Sequence, residues 1–158
     1  MTAREAIDWL SVSEVANMAA LPAAAFRETG AWEASAIEDL LRQPTFYALG
    51  MYTDAELMSF LIVQIAVDGA EILTLATHPE RQRYVRAARL LAFFVRHSPI
   101  EGLHSWLLDV AADNQSAIAF YAILGVQVDG RRPEFYIRLE GQRIDAILMS
   151  ISLAGQAT

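Results

Sequence analysis

Five arginines, Arg81, Arg83, Arg86, Arg89 and Arg96, fall within sixteen residues that contain no Asp or Glu. Arginine's planar guanidinium matches the oxygens of phosphate, so a cationic segment of this kind suits a small anionic ligand. The chain carries −7 overall, its twelve basic residues all arginine against nineteen acidic ones, so a segment of +5 leaves −12 for the remainder. That balance disfavours a generic polyanion binder, nucleic acid included. The other meaning of such a run is the solvated face of a helix, and charge alone leaves both open. His78, His97 and His104 have no ligand spacing, and cysteine is absent. Disulfides, thiolate nucleophiles and sulfur-based zinc sites are therefore excluded, and no metal is expected. No GxSxG elbow, Walker loop or HExxH pair is present.

At 158 residues, 54% of them hydrophobic and 20% charged, the chain is expected to form one globular domain with its core over about residues 4–153 and a frayed tail from Ala154. Its longest apolar runs, such as Leu90 to Val95, fall well short of the ~20 residues that span a bilayer, and Met1 to Glu5 do not read as a leader. A cytoplasmic protein without a membrane segment is the expectation.

Ser11 and Glu14 have capping-box spacing ahead of Val15, Met18, Ala19 and Leu21, which predicts a helix stopped by Pro22. A second helix from about Trp32 is carried by Ala34, Ile37, Leu40 and Leu41 and stopped by Pro44. Thr45 to Tyr52, Leu57 to Val67 and Glu71 to Thr77 read as strands of an antiparallel meander. After His78 and Pro79 the arginine-rich stretch reads as a loop, followed by an amphipathic helix through Ala87, Leu90, Leu91, Phe94 and Val95. Leu103 to Val110 reads as a buried strand. Asn114 is a helix cap for Ala117, Phe120, Tyr121 and Leu124, and Gly125 sits where a C′ glycine belongs. Strands around Phe135 to Leu139 and Ile144 to Ser152 complete the order β, α, α, β, β, β, α, β, α, β, β. This is an α/β (α+β) chain: a mixed, mostly antiparallel central sheet of six to seven strands flanked by four helices.

The segments AEILTLATHPERQRYVRAARLL, LLDVAADNQSAIAFYAILGV and EGQRIDAILM resemble the GNAT superfamily of acetyl-CoA-dependent N-acetyltransferases, from about Trp32 to Leu153 and more loosely back to the first strand. The resemblance implies an acyltransferase that moves an acetyl group from acetyl-CoA to a primary amine, foremost the N-terminal α-amine of a protein such as a ribosomal protein. A small-molecule amine and a non-catalytic binding module on the same scaffold are the alternatives, with a monomer or weak dimer and no nucleic acid or membrane as partner. For the pyrophosphate loop the family has Gln or Arg, two residues, Gly, one residue, then Gly or Ala; the matching positions here are Gln82, Val85 and Ala87. Coenzyme contacts are thereby implied for Leu75, Ala76 and Thr77 of the strand, for Gln82, Arg83, Tyr84, Val85, Arg86, Ala87 and Ala88 at the junction, and for Asn114 and Tyr121. A helix N-terminus offers free N–H groups and a positive dipole end to a pyrophosphate. A strand amide aimed at the thioester oxygen would be worth about 3 kcal/mol of barrier.

Acetyl transfer also moves two protons: the attacking ammonium must lose one, and the departing thiolate leaves better with one. By resemblance Asp109 occupies the family's acidic position, one methylene shorter than its glutamate, which suggests a bridging water. Tyr121 matches the general acid, and a phenol with a reference pKa of about 10 stays protonated at neutral pH. Taken as residues alone, Asp109 is equally a partner for a loop amide and Tyr121 a core aromatic. Trp32 and Tyr136 are the implied acceptor contacts, Trp32 reading more as a packing residue. Val85 stands where the family has glycine, and a β-branched side chain there is expected to hinder close approach of a diphosphate.

Overall fold

The computed structural model describes residues 3–22, 25, 32–67, 69–79, 83–99 and 101–153. Strand β1 (Glu5–Leu10) leads through a 3-10 turn into α1 (Val15–Ala19) and then α2 (Ala34–Leu41). The meander follows as β2 (Phe46–Thr53), β3 (Glu56–Ile65) and β4 (Gly69–Thr77), each antiparallel to its predecessor. Helix α3 (Arg83–Arg96) crosses over to β5 (Ser105–Ala111), which lies parallel to β4, as a connection between parallel strands requires. Helix α4 (Gln115–Ile123), β6 (Gln127–Ile137) and β7 (Arg143–Ser152) complete a seven-stranded sheet in the order β1-β2-β3-β4-β5-β7-β6. The sheet is mixed and mostly antiparallel with four helices, as expected.

Alternating side chains divide the core between the two faces of this sheet. On one, Leu90, Leu91 and Phe94 of α3 and Ala117 and Tyr121 of α4 pack on Ile72, Leu108, Val110 and Met149. On the other, Met18 of α1 and Ile37 of α2 pack on Ala48, Phe60, Ile62 and Ala76. No described helix is long and apolar enough to cross a membrane.

One irregularity matters more than the rest. The β4–β5 pairing starts at Gly69 and Ser105 and ends at Ile72 and Leu108. Beyond that point β4 continues on β3, where Ser59 faces Thr77, and β5 continues on β7, where Ala111 faces Ala146. Two neighbours held on their outer sides thus diverge, and a wedge opens between Leu73–Thr77 and Asp109–Ala111.

Three expectations need correction. Ser11 does not cap α1: its hydroxyl bonds that of Ser13 at 2.9 Å, Glu14 accepts from Asn17, and the α-helix starts only at Val15. Local side-chain bonds have displaced the capping box. The stretch from Arg83 is helix, not loop, because Arg and Ala are strong helix formers and the apolar positions begin one turn later. Strand β6 starts at Gln127, well before Phe135, and Leu139 belongs to a 3-10 turn. An edge strand with mostly exposed side chains carries no apolar alternation from which to read it. The tail from Ala154 lies outside the described residues.

Asn114 and Gly125 behave as expected. The Asn114 Oδ1 accepts the Ala117 N–H at 3.2 Å. Gly125 has φ +90°, its N–H donates to the Ala122 carbonyl and that of Val126 to the Tyr121 carbonyl, both at 3.0 Å. These two bonds form a Schellman motif that fixes the last turn of α4, including Tyr121. Gly125→Ala is expected to cost about 1–2 kcal/mol and to lower Tm by about 2–8 °C in thermal denaturation.

Candidate active site

The wedge between β4 and β5 opens into a cavity of about 310 Å³. Strand β4 contributes Glu71, Leu73, Leu75 and Thr77, and β5 contributes Leu108, Asp109 and Val110. Tyr84 and Ala87 of α3 and Asn114, Ala117, Phe120 and Tyr121 at or in α4 form another wall, and Trp32, Phe135 and Tyr136 another. Both helices follow the carboxyl ends of the parallel pair, where open α/β sheets place their ligand crevices.

A chain of hydrogen bonds locks the two helix starts together. Tyr84 Oη donates to Ser116 Oγ at 2.7 Å, and Ser116 Oγ donates to Asn114 Oδ1 at 3.2 Å. The Tyr84 and Phe120 rings lie 5.0 Å apart between centroids. First-turn N–H groups have no carbonyl acceptor within their own helix, so two such ends, each with a positive partial charge, suit an anion and polar carbonyls.

Asp109 follows Leu108, the last β5 residue paired with β4. Alternation sends Leu108 and Val110 into the core of α3 and α4 and turns the half-buried Asp109 to the opposite face. Burial pushes its carboxyl above the ordinary value, while the Arg132 guanidinium, 4.0 Å away, pulls it part of the way back. Arg132 also lies over the Phe135 ring, 4.9 Å from its centroid. Tyr121 reaches the cavity from α4, buried, its ring 5.1 Å from that of Phe120. A carboxyl group and a phenol thus approach the wedge from its two faces.

Of the expected coenzyme contacts, Leu75, Thr77, Tyr84, Ala87, Asn114 and Tyr121 line this cavity. The Thr77 hydroxyl is shared with that of Ser59 at 2.9 Å, so Thr77 offers backbone there more readily than side chain. Ala76 is fully buried in the other core with Phe60 and Ile62. Arg83 begins α3, while Val85, Arg86 and Ala88 lie in its first turns and do not line the cavity. Gln82 lies outside the described residues. Val85, expected to hinder close approach of a diphosphate, lies in the first turn of α3. Two positions from the inward Ala87, or about 200° around a helix, its side chain is 55% exposed and its φ is not left-handed. The chain adopts no conformation there that demands glycine. Trp32 and Tyr136, read as acceptor contacts, do meet at one cavity.

Sequence reading missed Phe120, Ser116 and Arg132 as site residues, while Phe135 falls within the segment Pro133 to Tyr136 that the resemblance had set beside the acceptor. Arg132 and Phe135 belong to a bulged edge strand, for which Pro133 was the available signal. Arg132→Ala is expected to move the carboxyl titration of Asp109 to higher pH in carboxyl NMR; no movement would mean that the guanidinium does not act on it. Folding tightens Asp109's hold on its proton, so its ionised form weighs against stability above both pKa values. That penalty disappears as pH falls below the ordinary 3.8.

Comparison with known proteins bears directly on this geometry. The sequence profile of the Acetyltransferase (GNAT) family matches residues 6–126. The [Ribosomal protein bS18]-alanine N-acetyltransferase of Salmonella typhimurium is 29% identical over 106 residues, covering 67% of this chain and 71% of that enzyme. The crystal structure of the ribosomal-protein-S18-alanine N-acetyltransferase from Escherichia coli superposes with a TM-score of 0.82 at 22% identity, covering 94% of each chain. That of Arabidopsis thaliana NAA60 in complex with acetyl-CoA gives 0.80 at 17% identity, covering 96% of this chain and 100% of the other.

Proposed function

The chain belongs to the Acetyltransferase (GNAT) family, and from that premise we propose that it moves the acetyl group of acetyl-CoA to the N-terminal α-amine of a protein, a ribosomal protein first among the candidates. It is an N-acetyltransferase by family and by its relatives; the protein acceptor and the residue roles below are the proposal. The observation that carries it is the β4–β5 wedge with Asp109 and Tyr121 on its cavity.

The fit to acetyl-CoA rests on backbone. Unpaired strand edges at Leu73–Thr77 match the amides of an extended pantetheine arm, since buried N–H and C=O groups require partners. The first turn of α3, from Arg83 to Ala87, suits the pyrophosphate, with Val85 turned outward. Acetyl-CoA supplies the acyl group as an activated thioester.

The side chains manage protons. Asp109 takes one from the acceptor ammonium, directly or through a water, and its upward-shifted carboxyl makes it a better base than an ordinary aspartate. Tyr121 Oη gives one to the sulfur as it leaves. Trp32, Phe135 and Tyr136 bound the acceptor side. The surplus of acidic residues outside α3 raises the encounter rate with a cationic acceptor, most strongly at low salt.

Calorimetry is expected to show micromolar acetyl-CoA binding, and thiol release to be faster with peptides bearing a free N-terminus than with polyamines. Faster release with polyamines would assign a small-molecule acceptor instead. Tyr121→Phe is expected to lower kcat by about 10²-fold or more while acetyl-CoA affinity stays within about twofold. Full turnover in that variant would remove Tyr121 as the acid.

A further inference from the structure

Asp145 lies outside the cavity, yet three parts of the acceptor side depend on it. Between Arg132 and Tyr136 the β6–β7 register shifts, so Pro133, Glu134 and Phe135 form a bulge instead of ladder rungs. Glu134 there has φ 51°, a left-handed conformation that a residue with a Cβ holds only under constraint. Asp145 on β7 supplies that constraint. Its Oδ1 accepts the Glu134 N–H at 2.9 Å, and its Oδ2 accepts from Arg131 Nε. Those two partners, the Glu134 amide first, hold its carboxyl below the ordinary range. Its backbone carbonyl accepts the Ala112 N–H at 2.8 Å, one residue beyond the end of β5. One residue therefore ties the bulge to the strand that carries Asp109.

What the bulge carries gives the contact its meaning. Phe135 and Tyr136 line the cavity, and Arg132 reaches to 4.0 Å from Asp109 while covering the Phe135 ring. An antiparallel ladder alone would not stop the bulge from sliding, because one side of β6 is a free edge.

We propose that Asp145 is a positioning residue for the acceptor: through its bond to the Glu134 amide it sets the β6 bulge, and so places Phe135 and Tyr136 against the amine-bearing substrate and Arg132 beside Asp109. This rests on the acetyl-transfer reading and deepens it. The carboxylate acts through the bulge and touches no reactant.

Three full-length variants test it. Asp145→Ala removes both bonds, Asp145→Asn keeps an oxygen for the Glu134 amide, and Arg131→Ala removes only an exposed ion pair. Asp145→Ala is expected to raise the acceptor KM about tenfold with a smaller change in kcat and an unchanged calorimetric Kd for acetyl-CoA. Asp145→Asn should recover most of that loss, and Arg131→Ala should stay close to the parent. Amide exchange at Glu134 reads the bulge without turnover: about tenfold faster in Asp145→Ala and protected in Asp145→Asn. An unchanged acceptor KM in Asp145→Ala would overturn the proposal, as would unchanged exchange at Glu134 or an equal rise in the acetyl-CoA Kd. If Asp145→Ala does not fold, Asp145→Asn decides, since an acceptor KM raised about tenfold in that variant while the Glu134 amide stays protected from exchange would also overturn it. Failure of the acetyl-transfer reading shows separately, as a parent chain that releases no thiol with any amine.

Discussion

A backbone amide inside a sheet must have a partner, and strands normally supply it to one another. Here β3 and β7 grip the outer sides of β4 and β5, and that grip pulls the pair apart after Ile72 and Leu108. The edges so exposed line the cavity between the two strands. The candidate residues Asp109 and Tyr121 both line the cavity at that gap. The two helices that begin beside it are the connections that follow β4 and β5, so the topology that opens the wedge also delivers their N-terminal ends to it. Tyr84, Ser116 and Asn114 then bind those ends to each other at side-chain level.

The electrostatics follow the same division. Arginines of α3 sit on the helix that starts at the wedge, and one of them, Arg89, is already committed to an ion pair with Glu5 on β1. The exposed pairs Arg42–Glu38 and Arg138–Asp113 contribute little to stability individually. At Asp109 burial outweighs the cationic neighbour and raises the pKa. A half-buried carboxylate beside the cavity costs stability when ionised, and that cost is what makes it a stronger base. Arg132 limits the cost without removing it.

Local signals in the sequence located the elements around the wedge, and the resemblance supplied the residues expected to meet the coenzyme there. Asn114 and Gly125 fixed both ends of α4 through backbone rules that hold wherever they occur, so the position of Tyr121 followed from spacing. Apolar runs of strand length gave the meander, and the cationic stretch marked the crossover helix, although Arg83, Arg86, Arg89 and Arg96 proved helical. Ser11 failed as a cap because Ser13 competes for its hydroxyl, a side-chain event that spacing does not encode. The wedge itself left no local trace. It arises from which strands flank β4 and β5, a long-range fact. The outward turn of Val85 depends likewise on the phase of α3, which is set by packing at Ala87, Leu90 and Phe94.

The acceptor half was the least legible, and the reason is structural. In the proposed reaction the coenzyme is met mostly by backbone, which almost any side chains can present in the same shape. The acceptor instead meets side chains hung on a bulged edge strand, where no apolar alternation is required and where register is held by single contacts. A strand with one free edge can shift its bulge by a residue at small cost, and each shift would exchange Phe135 or Tyr136 for a neighbour at the cavity wall. Selectivity for the amine can therefore change through β6 and its hold on β7 while the wedge stays intact. The fold itself is shared at 17–22% identity with acetyltransferases of different sources, and in the proposed reaction the wedge would serve the coenzyme while the choice of acceptor would rest with a few residues around Asp145.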